Sequence, residues 1–262
     1  MSAVVPPKFP SAASADRWPG LEPVAQIDEG NRNTVWQAVL GGRSVAVRTS
    51  RRSAASLAWE LDLIEWLGDR SFYVPKVITT IGGERSCDSF VVQEWIDGHA
   101  PATVEEWDRV ADELQRLHQL GTDIPQRPSC MSVLELNGRS ASVDADMSAL
   151  PEAVAERLLQ VFAEFRDVPR ALIHGDPAPS NIRITDDGRV GLLDWDESRG
   201  DLVWHDLSNL GTRRLHASDH RRAQRLSNAW EATNAWLVEP EYARERLAAL
   251  DDDPDLGRSP RE

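Results

Sequence analysis

A chain of 262 residues can bury a sizeable core in one or two domains, and 41% apolar with 27% charged residues is the balance of a globular protein, not of a disordered or fibrous one. The net charge of −14 argues against nucleic acid as a partner, because phosphate backbones demand basic surface; an acidic surface serves solubility and also suits a cationic small molecule. No apolar run approaches the roughly 20 residues that cross a bilayer, so no membrane partner is expected.

Residues 1–20, rich in Pro, Ala and Ser, read as a flexible arm without the apolar stretch of a secretory leader. Cys87 and Cys130 fit neither a disulfide framework nor a metal pattern, and a cytoplasmic location is expected. Short β-like runs follow at 24–28, 34–40 and 44–49, the last two joined by the turn Gly41-Gly42. A helix is expected over 53–68, with Ser53 as cap and Gly68 as terminator. Runs at 76–81 and 89–95, around Gly82-Gly83, read as two more strands.

After Asp97-Gly98 the pattern turns helical, with Val104, Trp107, Val110, Leu114 and Leu117 at helical spacing. Residues 121–150 carry no clear element. Pro151 opens a helix containing Val154, Leu158, Phe162 and Phe165. Runs at 182–185 and 189–193 flank the turn Asp186-Asp187-Gly188. A helix with Leu226, Trp230, Thr233 and Leu237 comes near the end, before an acidic tail at 251–262. The expected organisation is an arm (1–20), a small lobe (21–96), a larger helical lobe (97–250) and the tail (251–262). The fold class is α+β: a small antiparallel sheet with one helix, then a larger, mainly helical part.

The chemistry concentrates in His174-Gly175-Asp176-Pro177-Ala178-Pro179-Ser180-Asn181 and the later Leu192-Leu193-Asp194-Trp195-Asp196. Phosphoryl transfer needs a carboxylate to take the proton of an attacking hydroxyl and oxygen ligands for Mg²⁺ on the nucleotide phosphates. Protein kinases meet this with a His-x-Asp-x-x-x-x-Asn loop and a later Asp. The spacing here is the same, with Gly175 where many protein kinases carry Arg. Asp176 is the candidate base; Asn181 and Asp194 are the candidate metal ligands. His174 is expected to hold the loop backbone and Asp206 to brace the loop from a following helix.

For the nucleotide, ATP or GTP, the candidates are Gly30, Asn31, Asn33 and Thr34 in the turn before the second strand, whose amides suit phosphates. Arg48 stands where kinases place a phosphate-binding Lys, and neither Lys8 nor Lys76 suits that place. At about 100° per residue Glu60 falls within the stripe of Leu57, Leu61 and Ile64, so a buried Glu60 is expected to pair with Arg48, with Glu65 as the fallback. Glu94 and Ile96 sit where backbone groups reach an adenine. Asp196, Glu197, Asp201 and Glu231 are acids that suit a cationic acceptor or serve as surface charges; Asp201 reads first as a helix cap.

Taken together, "GNRNTVW", "ELQRLH", "HGDPAPSN", "GLLDWDES" and "WHDLSNLG" resemble the aminoglycoside phosphotransferase and choline kinase-like family over most of the chain. The resemblance implies a two-lobed protein-kinase-like fold, ATP or GTP with Mg²⁺, and phosphorylation of a hydroxyl on a small molecule, an antibiotic such as an aminoglycoside among the candidates. Arg48 departs from the family's commoner Lys, and Asp196 stands where a Gly often completes the metal motif. The alternative raised by Arg48 is a nucleotide-binding pseudokinase with a regulatory or scaffold role.

Overall fold

In the computed structural model of the protein, the described residues are Phe9, 16–27 and 33–251. The chain divides into two compact units, Met1–Pro101 with Ala178–Trp195 (unit 1) and Ala102–Pro177 with Asp196–Glu262 (unit 2).

Unit 1 is built on an antiparallel sheet of β1 (Leu21–Ile27), β2 (Val35–Leu40), β3 (Arg43–Thr49) and β4 (Phe90–Glu94), in that order. Side chains alternate across a strand, so each strand serves two environments. Trp36, Ala38, Val45, Val47 and Val92 face one core with Trp18 and Leu21. Residues 1–20 are therefore not wholly a loose arm. Trp18 is 2% exposed and donates its Nε1–H to the Ile78 carbonyl at 2.8 Å, because a large ring with one polar atom stabilises most when both are satisfied. Phe9 meets Trp36 edge to face.

The expected strand at 76–81 is reduced to a bridge, Val77 with Gln93. The Thr80 hydroxyl accepts from the amides of Gly82 and Glu84 and folds the chain back, a local competitor to the ladder. Helix α1 (Ala54–Asp69) starts as expected, with Ser53 Oγ accepting from the Ser56 amide. It runs one residue past Gly68 and is reversed at Ser71, whose φ is 65°.

The hairpin of β6 (Ile182–Ile184) and β7 (Val190–Leu192) belongs to unit 1. Residues 98–99 hold it: the His99 and Ile184 backbones exchange hydrogen bonds at 3.1 and 2.7 Å. Gly98, at φ 139°, permits that approach, since a Cβ there would lie 2.5 Å from the Ile184 carbonyl oxygen.

Unit 2 contains α2 (Val104–Leu120), opened by a capping box between Thr103 and Glu106, and α3 (Glu152–Ala163) after Pro151. Its ladder pairs β5 (Arg170–Ile173) with β8 (Arg199–Leu202), a strand absent from the sequence reading. Then come α4 (Trp204–Leu207), α5 (Ala217–Ala235) and α6 (Pro240–Ala248). Leu158, Phe162, Phe165, Leu202, Leu226 and Trp230 form the centre of its core. Leu237, expected on the last apolar stripe, lies beyond α5 and is exposed. Residues 121–150 hold two short 3₁₀ turns, Val133–Glu135 and Met147–Ala149. Residues 252–262 of the expected tail lie outside the described residues. Among the described residues, no helix is long and apolar enough to cross a membrane.

Replacing Trp18 by Ala removes a fully packed ring and should cost about 3–5 kcal/mol. Urea denaturation will show a midpoint well below that of the wild type; an equal midpoint would mean that this segment carries no packing.

Candidate active site

The sheet face opposite the Trp18 core carries Val35, Ala46, Arg48 and Gln93, the alternate residues of the same strands. With Ile27, Asn33, Pro75, Glu94, Trp95, Ile96, Asn181 and Asp194 among others, they line a cavity of about 130 Å³, all within unit 1.

Arg48 is 5% exposed and Glu60 is fully buried, and the Arg48 guanidinium donates through Nη2 to the Glu60 carboxylate. Burying either charge alone would be prohibitive, so α1 and β3 are tied at this point. Arg48 Nε donates to Gln93 Oε1 at 3.0 Å, a partner with no signal in the sequence. Glu65, the fallback partner, instead faces Arg85, as does Asp62.

Gly30 and Asn31 lie outside the described residues. Asn33 is buried on the cavity wall, and its Nδ2 has no hydrogen-bond partner among the described residues. A buried donor left over in this way suits an acceptor oxygen from a ligand. The Thr34 amide is spent on Thr49 Oγ1 at 3.1 Å. The Glu94 amide is likewise spent, on the Lys76 carbonyl at 2.8 Å, so it is not available to an adenine; Ile96 is buried on the cavity wall.

Asn181 ends the 3₁₀ turn Pro179–Asn181, and its carbonyl accepts from the Leu193 amide at 2.8 Å. That bond brings the turn beside the end of β7. Asp194 follows in the left-handed region, at φ 55°, a conformation that costs energy in a non-glycine residue and is common at functional sites. Both residues line the cavity. An amide and a carboxylate oxygen fit a hard cation that takes its remaining ligands from phosphates and water. Among the described residues, no group of three or more His, Cys, Asp or Glu side chains is arranged for a metal.

In unit 2, β5 delivers His174, Gly175 and the half-buried Asp176. The carboxylate of Asp206, fully buried on α4, accepts from the amides of His174 and Gly175, each at 2.8 Å. Its Oδ2 also lies 2.9 Å from His118 Nε2. Burial alone would push the Asp206 carboxyl up; the hydrogen bond and charge of His118, the charge of His174 and the Gly175 amide outweigh it and hold the group below the usual carboxylate range. The Asp176 amide donates to His174 Nδ1 at 3.4 Å. Gly175 sits at φ 95°, and a Cβ there would lie 2.4 Å from the Glu197 carbonyl oxygen. Arg, common at this place in protein kinases, cannot occupy this loop.

The four expected acceptor acids have different fates. Asp201 is neither a helix cap nor solvent-facing. It is buried in β8, accepts from Ser132 Oγ at 2.7 Å and the Val133 amide at 3.2 Å, and pairs with Arg199 Nε at 2.9 Å. Burial would raise its carboxyl, but the charges of Arg199 and His205 and its hydrogen bonds bring it below the ordinary value. Asp196 is also buried, and its carbonyl accepts from Arg127 Nη1 at 2.7 Å. Glu197 is half-buried, its carbonyl packed against Gly175. Glu231 accepts from Ser227 and Tyr242 and pairs with Arg246 at 2.8 Å. Its surroundings already satisfy it. The link of His118 to Asp206, 88 positions away, left no trace in the sequence.

Solved structures of small-molecule kinases share this protein-kinase-like fold. An amicoumacin kinase in complex with AMP-PNP and Ca²⁺ superimposes with a TM-score of 0.58 at 18% identity, over 87% of this chain and 79% of that one. The chain belongs to the APH phosphotransferase enzyme family, whose model matches residues 23–256. It is 26% identical over 203 residues to a homoserine kinase of Methylobacterium sp. (strain 4-46), covering 72% of this chain. It is 28% identical over 206 residues to an aminoglycoside 3'-phosphotransferase of Streptomyces fradiae, covering 64% of this chain and 74% of that protein. The chain spans 63% of the length of the Methylobacterium homoserine kinase and 58% of that of Rhizobium meliloti (strain 1021), less than two thirds in both.

The second buried network predicts an acid sensitivity. Burial, against the pull of Asp201, lowers His205 to about 4. Between that value and the unfolded value of about 6.5 the unfolded chain binds the proton and the folded chain does not, so stability falls as pH drops through this window. The loss should be on the order of 3 kcal/mol from pH 7 to pH 4. Urea midpoints of wild type and His205→Asn across this range will show the variant with the shallower decline; parallel curves would assign the effect elsewhere.

Proposed function

We propose that this protein is a small-molecule kinase that transfers the γ-phosphate of ATP or GTP to a hydroxyl of an amino alcohol. The observation that carries the reading is the cavity of unit 1, where Asn33, the Glu60-paired Arg48, Asn181 and Asp194 share one wall system. A buried donor with no partner among the described residues, a fixed cation and two oxygen ligands are what a nucleoside triphosphate with its cation requires. Asn181 and Asp194 would hold Mg²⁺, which when bound offsets charge on the phosphates. Asp176 accepts the proton of the acceptor hydroxyl as that oxygen forms its bond to the γ-phosphorus. The bond from the γ-phosphorus to the bridging oxygen breaks, and the nucleoside diphosphate leaves. His174 and Asp206 keep the Asp176 loop in place and touch no reacting atom. Homoserine and aminoglycosides, the acceptors in the names of the relatives, both carry a hydroxyl and an amine, and of the two a net charge of −14 suits the polycationic aminoglycosides.

Purified protein with ATP and Mg²⁺ is expected to phosphorylate at least one member of a panel of homoserine, aminoglycosides, choline and ethanolamine, read by phosphorus NMR. Asp176→Asn should lower turnover by about 10²–10⁴ with nucleotide affinity retained. An unchanged rate in that variant would remove Asp176 as the base. Nucleotide binding with no transfer to any acceptor favours the pseudokinase reading; a thermal-shift titration at 100 times the Kd should then still add about 2.7 kcal/mol.

A further inference from the structure

Building on the nucleotide reading of the unit 1 cavity, we infer that Gln93 is a positioning residue for the nucleotide phosphates, fixing the Arg48 guanidinium and making arginine, not lysine, the cation this site requires. Gln93 is 4% exposed on β4, one step diagonal to Arg48 on β3. Its Oε1 accepts from Arg48 Nε at 3.0 Å, and its Nε2 donates to the Pro75 carbonyl at 3.3 Å. The amide has one admissible orientation. Arginine has donors and no acceptor, and a carbonyl oxygen only accepts, so a flipped amide would set N–H against N–H and oxygen against oxygen. Pro75 thus sets Gln93, and Gln93 sets Arg48.

The same guanidinium is bound through Nη2 to Glu60 on α1. A planar cation held at two nitrogens by partners on two elements has its plane and its reach fixed together. A lysine cannot reproduce this. It carries a methylene where Nε donates, leaving the buried Gln93 oxygen against carbon unless its single ammonium deserts Glu60. Gln93 thereby accounts for the family departure at Arg48: the cation and its amide partner form a matched pair.

The test is calorimetric titration of Mg²⁺ with AMP-PNP, and of adenosine, into wild type, Gln93→Met, Arg48→Lys and the double variant. Gln93→Met keeps length and removes both polar atoms. It should weaken AMP-PNP about tenfold while changing adenosine by no more than about twofold, because the effect passes through the phosphate-facing cation. Arg48→Lys should weaken AMP-PNP at least as much, and adding Gln93→Met to it should cost nothing further. Unchanged AMP-PNP affinity in Gln93→Met overturns the inference. So does an equal loss for adenosine, or a double variant that loses the product of the two single effects. A wild type that binds neither ligand overturns the nucleotide reading as well, whereas a binding wild type with an indifferent Gln93 sinks this inference alone. If Gln93→Met does not fold, Gln93→Thr, suited to a strand, is judged by the same two ligands.

Discussion

An ionised carboxylate cut off from solvent must be met by donors, and the Asp206 carboxylate is met by the His174 and Gly175 amides and by His118. Without these bonds the loop after β5 would leave two amides unpaired in the interior and α4 would bury a bare charge. The constraint runs back to the sequence through Gly175. Its amide donates to Asp206, and its missing Cβ leaves room for the Glu197 carbonyl. Asp176 therefore emerges from a segment whose backbone is already committed. The neighbouring network repeats the logic one strand away, pairing the buried Asp201 with the buried Arg199 guanidinium beside the His205 ring.

Unit 1 meets the same physical problem in a sheet. Strand alternation sends Trp36, Val45 and Val47 to an apolar core and Ala46 and Arg48 to the cavity face. A buried cation on that face demands Glu60, and Glu60 in turn ties α1 to the sheet. One charge thus does structural and chemical work together: it orders a helix against a sheet and places positive potential at a cavity that also holds Asn181 and Asp194.

Much of the fold was legible because local rules and tertiary packing agree. The hairpin glycines, the Ser53 cap and the apolar spacing of 104–117 each name an element that is present. Where they disagree, the sequence reading went astray. The run at 76–81 has strand composition, but the Thr80 hydroxyl captures the following amides and ends the ladder. Residues 199–202 contain Arg, Gly and Asp, yet pair with β5 because Arg199 and Asp201 neutralise each other and the Ser132 hydroxyl, 69 positions away, also donates to Asp201. Trp18 lay within a stretch whose composition reads as loose, and a single ring outweighed that composition.

The sequence by itself determined the family, the motif spacing that singles out Asp176, Asn181 and Asp194, and the contact of Arg48 with Glu60, because each depends on fixed offsets or on the period of one helix. Only the tertiary structure decided that residues 178–195 join the unit of the first sheet, that Gln93 and Pro75 orient Arg48, that His118 meets Asp206, and that Asp201 faces inward. The reason is physical. A buried polar group is defined by the partner that satisfies it, and the Pro75, Ser132 and Asp206 partners of Gln93, Asp201 and His118 are 18 to 88 positions away, beyond the reach of any local period.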